Sequence, residues 1–228
     1  RPVQAGLTRF QDFPLRELVD YIDWTPFFQS WELSGRYPAI LHDPVVGVQA
    51  SELFDDAQRM IGQIIDGHWL TANGVVGIWA AHSVGDDVEV FNEHGGELAV
   101  IQCLRQQVEK PAERPDFCLA DFIAPHDSGR KDWFGAFAVT TGLGCEDRAR
   151  AFESAHDDYS AILLKSLADR FAEAFAECLH AKVRKQLWGY AAGETIGFDA
   201  LIDESYHCIR PAPGYPACPD HTTKSTLF

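Results

Sequence analysis

The stretch Gly74-Val-Val-Gly-Ile-Trp-Ala-Ala-His-Ser-Val-Gly-Asp-Asp-Val-Glu-Val-Phe91 decides the fold. Val75–Ala80 is a short apolar run with β-branched and aromatic side chains, and it reads as a buried strand. Gly85-Asp-Asp87 carries turn chemistry, and Val88–Phe91 is the hairpin partner beyond it. Strands joined by so short a turn run antiparallel. Outward from this hairpin, Glu97–Cys103 and Trp133–Thr141 read as further strands, and Leu119–Ile123 as a shorter one. Upstream, Leu53, Ala57, Met60, Ile61, Ile64 and Ile65 recur at helical spacing and predict a helix over Gln49–Asp66, stopped at Gly67. Downstream, a helical pattern runs from about Asp147 to Leu187 with a break before Asp157. Its stripe is Ile162, Leu163, Leu167, Phe171, Phe175, Leu179 and Val183. Residues 1–48 read as irregular, apart from a short helical piece around Leu15–Tyr21 and aromatic anchors at Trp24, Phe27, Phe28 and Trp31. A last short helix is expected near Phe198–Glu204. The prediction is a single α+β domain over residues 1–228, a twisted, mostly antiparallel sheet flanked by helices.

The chain has 228 residues, 46% hydrophobic and 23% charged, which suits one soluble domain with its own core. Its net charge of -15 argues against nucleic acid, where binding rests on cations facing phosphate. Lys182, Arg184 and Lys185 form the densest positive cluster. No apolar run reaches 18 residues, so no bilayer span is expected. The chain starts Arg1-Pro-Val and shows no export signal, which reads as a fragment of a longer polypeptide. The six cysteines form no tight framework, so reduced thiols in a cytoplasmic protein are expected. Missing GxGxxG, P-loop and GxSxG motifs leave dinucleotide-dependent hydride transfer, phosphoryl transfer and elbow-type hydrolysis without support.

Chemistry concentrates near the end, in Arg210-Pro-Ala-Pro-Gly-Tyr-Pro-Ala-Cys-Pro-Asp-His221. Its four prolines fix φ and remove backbone donors, while Gly214 accepts positive φ freely. Such a segment presents Arg210, Tyr215 and His221 from a nearly preset backbone. That suits a polar ligand with a carboxylate and a flat ring, or simply a rigid surface loop. On the long helix Asp169, Glu173 and Glu177 stand at i, i+4 and i+8, so three carboxylates share one face. That face is either solvated or turned toward a cation in a cleft. Asp23 alone reads as a helix cap or turn residue. Cys208, Cys218 and His221, with His207 beside them, have no CxxC pair and match no common zinc spacing, so no metal is expected.

The tail run closely resembles the C-terminal signature of the S-adenosylmethionine-binding activation domain of cobalamin-dependent methionine synthase. Other stretches match in the same order: Ile22-Asp-Trp-Thr-Pro-Phe-Phe28, Gly74-Val-Val-Gly77, Val84-Gly-Asp-Asp87, Leu104-Arg-Gln-Gln107, Cys118-Leu-Ala-Asp-Phe122, Gly135-Ala-Phe-Ala-Val-Thr140 and His156-Asp-Asp-Tyr159. The resemblance covers nearly the whole chain. It implies that Asp23 binds the ligand's amino group, that Glu173 and Arg210 contact S-adenosylmethionine, and that Ala212 and Tyr215 add backbone and ring contacts. It implies that Asp169 faces the displaced cobalamin-ligating histidine of the neighbouring domain. No side chain need act as nucleophile or base.

The implied function is reductive methylation of cob(II)alamin, with one electron from a flavodoxin-type donor and a methyl group from S-adenosylmethionine. The domain would not be a complete methyltransferase alone. Flavodoxins are usually acidic, so docking one needs a local basic patch on this acidic chain. Asp66-Gly-His-Trp-Leu-Thr71 begins like the Asp-x-His-x-x-Gly run of corrinoid domains but ends in Thr, so cobalamin is expected only through the partner domain. Relatives continue several dozen residues past the position of Phe228, adding β structure and a tyrosine contact, so the chain reads as truncated at its C-terminus. The Thr-Lys-Ser-Thr-Leu-Phe228 run reads as the first turn of a further helix. A reading of another class is a non-catalytic docking module for a corrinoid protein or its reductase. Titration with S-adenosylmethionine separates the two.

Overall fold

The computed structural model describes residues 1–111 and 114–227. Its centre is β2 (Thr71–Val84), a 14-residue strand that carries the hairpin sequence. Along one edge β2 pairs with β5 (Asp132–Leu143), from Thr71↔Leu143 to Ala81↔Asp132. Two short strands share the other edge. β1 (Gly6–Phe10) pairs with Gly74–Ile78, and β3 (Asp87–Phe91) pairs with Ala80–Val84. β4 (Glu97–Gln102) continues from β3. Among the described residues the four ladders between these strands are antiparallel, as the hairpin chemistry predicts.

α1 (Trp24–Ser30), α2 (Gly47–Asp66), α3 (Cys145–Ser154) and α4 (Asp158–Lys182) supply the helical layer. α2 buries Leu53, Ala57, Met60, Ile61 and Ile64, the stripe its periodicity marks. α4 buries Leu163, Leu167, Phe171, Phe175 and Leu179 of its expected stripe and packs along β5, while Ile162 is exposed. The approach is close at Gly74, where an added Cβ would stand 2.9 Å from the Phe175 ring. Trp24, Phe28, Tyr37 and Phe54 meet ring to ring and tie α1 to α2. Such pairs contribute about 0.5–1.5 kcal/mol each beyond area burial. A smaller core of Val88, Val90, Ile101, Cys118, Ala120 and Phe134 lies under β3 and β4.

Two readings need correction. Residues 1–48 hold more than the expected helical piece, which is a 3₁₀ helix over Leu15–Tyr21: they also hold β1 and α1. The β1 sequence Gly-Leu-Thr-Arg-Phe buries no side chain fully and gains its order from the ladder to β2. Leu119–Ile123 is not a strand but a 3₁₀ turn over Leu119–Phe122, because Asp121 accepts the Cys118 amide at 3.0 Å and closes it. Within the densest positive cluster, Lys182, Arg184 and Lys185, only Arg184 is fully buried. The break before Asp157 falls between α3 and α4, and α4 runs into a π-type turn at Val183–Leu187.

α5 (Phe198–Ile202) and α6 (Lys224–Leu227) complete the chain. α6 supports the reading of a helical turn in the last run, although Phe228 lies outside the described residues. All six cysteines are free thiols. Burial pushes the Cys103 thiol up to about 12, with Cys118 and Cys218 nearby adding to it. Among the described residues no helix is long and apolar enough to cross a membrane.

Candidate functional site

The proline-rich tail folds into consecutive tight turns. The Tyr215 amide donates to Ala212 O (3.0 Å), Cys218 to Tyr215 O (2.8 Å) and Gly214 to Cys218 O (2.8 Å). Gly214 has φ +100°, and a Cβ there would lie 2.7 Å from His221 Nε2, so the position needs glycine twice over. Cys218 is buried and anchors the run, whereas Ala212 is exposed and Tyr215 is 63% exposed. The carbonyls of Ala212, Tyr215 and Cys218 are thereby taken up by the run's own turns.

Arg210 turns inward. Its guanidinium pairs with Glu177 Oε1 on α4, at side-chain exposures of 22% and 13%. Arg210 Nε and Glu177 Oε2 are both buried without a hydrogen-bond partner. Burial pushes the Glu177 carboxyl above its ordinary range, while Arg210 pulls the other way. The carboxylate stripe of α4 is therefore graded. Asp169 is exposed and paired with Arg170 at 2.6 Å, Glu173 is exposed, and Glu177 is drawn into the protein against Arg210. Helical spacing places Glu173 one turn from the Arg210–Glu177 pair.

A second, deeper pair holds this region. The Arg184 Nε lies 3.1 Å from both oxygens of Glu194, its Nη2 lies 2.6 Å from Oε2, and its Nη1 lies 2.9 Å from His180 Nδ1. Arginine can only donate, so His180 Nδ1 accepts and the ring proton sits on Nε2. Burial, with Arg184 and Arg210 adding, lowers the His180 pKa to about 3. The Tyr206 ring stacks 4.5 Å from the Arg184 guanidinium carbon and meets the His180 ring edge-on at 4.7 Å. Tyr206 thereby fixes the chain just before Arg210. Sequence reasoning missed this network; the signal was His180 and Arg184 at i, i+4 on an otherwise apolar helix face.

Asp23 is the N-cap of α1, its Oδ1 accepting from the Thr25 amide at 3.0 Å. α1 packs against α4, but among the described residues no hydrogen bond or ion pair joins Asp23 to Arg210. The structure thus brings Arg210 to the carboxylate stripe by direct contact, and leaves Asp23, Ala212 and Tyr215 as separate elements. The tail residues weighed for zinc face different neighbours: Cys208 lies at Tyr190, Cys218 at Cys103 and His221 against Gly214. A different set, His82, Glu89 and His126, stands together on the sheet, with ligand atoms within 4.8 Å of one another.

Residues 14–228 match the family described as vitamin B12 dependent methionine synthase, activation domain. The chain belongs to that family. The crystal structure of the MetH reactivation domain bound to AdoHcy superposes with a TM-score of 0.94 at 50% identity, over 99% of this chain and 70% of that one. The family match starts at residue 14, so β1 precedes it, yet the fold likeness includes nearly all of the chain. The domain is α+β, and its likeness to that solved structure agrees with this.

Proposed function

We propose that this activation domain binds S-adenosylmethionine along the face where the Arg210 tail meets α4, and presents it to the cobalamin-binding domain of methionine synthase. The observation that carries the reading is the 50% identical relative with AdoHcy bound, the compound left when S-adenosylmethionine gives up its methyl group. In this reading cobalamin, reduced by one electron from a flavodoxin-type donor, accepts that methyl, and the enzyme regains methylcobalamin. The chain's own residues position and hold. Asp23, with one oxygen on its helix cap, has the other for the ligand's ammonium. Arg210 takes the carboxylate end by its guanidinium or its backbone. Glu173 faces solvent one turn from Arg210 and suits the cationic ligand, and exposed Ala212 and Tyr215 provide a backbone and ring wall. Asp169, exposed on α4, is left to face the partner domain.

Isothermal titration of the chain with S-adenosylmethionine, and separately with S-adenosylhomocysteine, tests this. Saturable binding of both is expected. Absence of heat with either ligand, from protein that melts cooperatively, would overturn the ligand assignment in favour of a docking module.

A further inference from the structure

We propose that His82, Glu89 and His126 form a binding site for one divalent transition-metal ion, with Zn²⁺ as the best fit. His82 and Glu89 are paired directly across the β2–β3 ladder, equidistant from the Gly85-Asp86 turn, so their side chains leave the same face. His82 Nε2 lies 2.8 Å from Glu89 Oε2. The third member arrives on a loop stitched to the same strand. Ser83 N donates to Ala124 O at 3.1 Å, Ser83 Oγ to Ile123 O at 3.0 Å, and the Ala124 amide to Asp132 Oδ2 at 2.8 Å. A bridge between Ser83 and Pro125 then delivers His126 beside His82, with ring centroids 4.2 Å apart. Phe91 packs on the other ring contact of His82 at 4.8 Å.

Two imidazoles and a carboxylate are the donor set that zinc and its neighbours favour, with a fourth position left for water. Zinc–ligand bonds of about 2.0–2.2 Å set tetrahedral donors roughly 3.4 Å apart. The 2.8 Å His82–Glu89 separation and the 4.8 Å overall spread bracket that distance. His82 and Glu89 are half-buried and held by the sheet, whereas His126 is exposed and can close the gap by rotation. Binding replaces the His82–Glu89 contact with bonds from both groups to the metal. The ion would cross-link the hairpin to the 123–129 loop.

The test is titration of the 228-residue chain with Zn²⁺, and with Co²⁺ as a spectroscopic substitute. Expected are one equivalent bound, Co²⁺ ligand-field bands without a thiolate charge-transfer band, and a rise in melting temperature on adding Zn²⁺. His126→Ala, on an exposed loop, should fold normally and lose affinity by about tenfold or more, as should His82→Gln and Glu89→Gln. His207→Ala and His221→Ala should bind as the parent does. A His126→Ala affinity within twofold of the parent, a thiolate band, or no binding overturns the proposal.

Discussion

Replacing Arg210 with alanine removes the guanidinium facing Glu177 and leaves a carboxylate that is only 13% exposed. Truncating one partner of a buried ion pair costs about 3–5 kcal/mol. Partial solvent access to this pair lowers the expectation to about 2–3 kcal/mol. At about 2 °C per kcal/mol for a chain of this length, the melting temperature should fall by about 4–6 °C. The pH dependence gives the sharper test. Burial raises the Glu177 pKa in the folded state above its unfolded value, and Arg210 opposes that rise. For an acid with a raised folded pKa, the fold binds more protons, so stability is present at low pH and lost as pH rises through the folded value. Without Arg210 the folded value climbs further, and the loss extends to higher pH. The Arg210→Ala penalty should therefore be larger at pH 8 than at pH 5.

Glu177→Gln in the same background should recover most of the loss at pH 8, because a carboxamide needs no counter-charge. Thermal melts of the parent, both single variants and the double variant at the two pH values form the cycle. An Arg210→Ala penalty that is equal at both pH values and unrelieved by Glu177→Gln would refute the charge argument and leave packing alone. The same cycle isolates the ligand effect. Affinity for S-adenosylmethionine should drop about ten- to a hundredfold on losing Arg210 even in the Glu177→Gln background.

Local chemistry carried the hairpin, the α2 stripe and the α4 stripe into the sequence, because each is specified by period and turn within about twenty residues. β1 was not legible, since its order comes from a ladder to a strand more than sixty residues on, Thr8↔Val76 among its pairs. Leu119–Ile123 has strand-like composition, and one carboxylate bond to its own backbone decided the matter otherwise. The site was legible unevenly. Asp23 declared its cap role locally, and the tail declared its stiffness through proline. That Arg210 points inward to Glu177, and that Arg184 is buried with Glu194, depends on how the tail returns across α4. A cluster of three cations in sequence says nothing about which one finds a buried partner. Likewise, the hairpin's symmetry sets His82 against Glu89, but only the stitched loop adds His126.

Two further outcomes are expected. Asp23→Asn should lower S-adenosylmethionine affinity on the order of ten- to a hundredfold by titration, with little change in melting temperature, because asparagine caps α1 as well as aspartate does. His180→Gln should flatten the acid limb of the stability curve. His180 has its folded pKa depressed to about 3 by burial, then by Arg184 and Arg210, against an ordinary value near 6.5. The unfolded chain therefore binds a proton that the fold refuses, and stability present above about pH 6.5 is lost as pH falls toward 3. At pH 5 that loss amounts to about 2 kcal/mol, or a melting temperature lower by about 4 °C relative to pH 7.5 from this residue alone. Glutamine can still accept from Arg184 but takes up no proton, so the variant should show a correspondingly smaller difference between the two pH values. A difference as large as the parent's would mean that His180 is not the group that titrates.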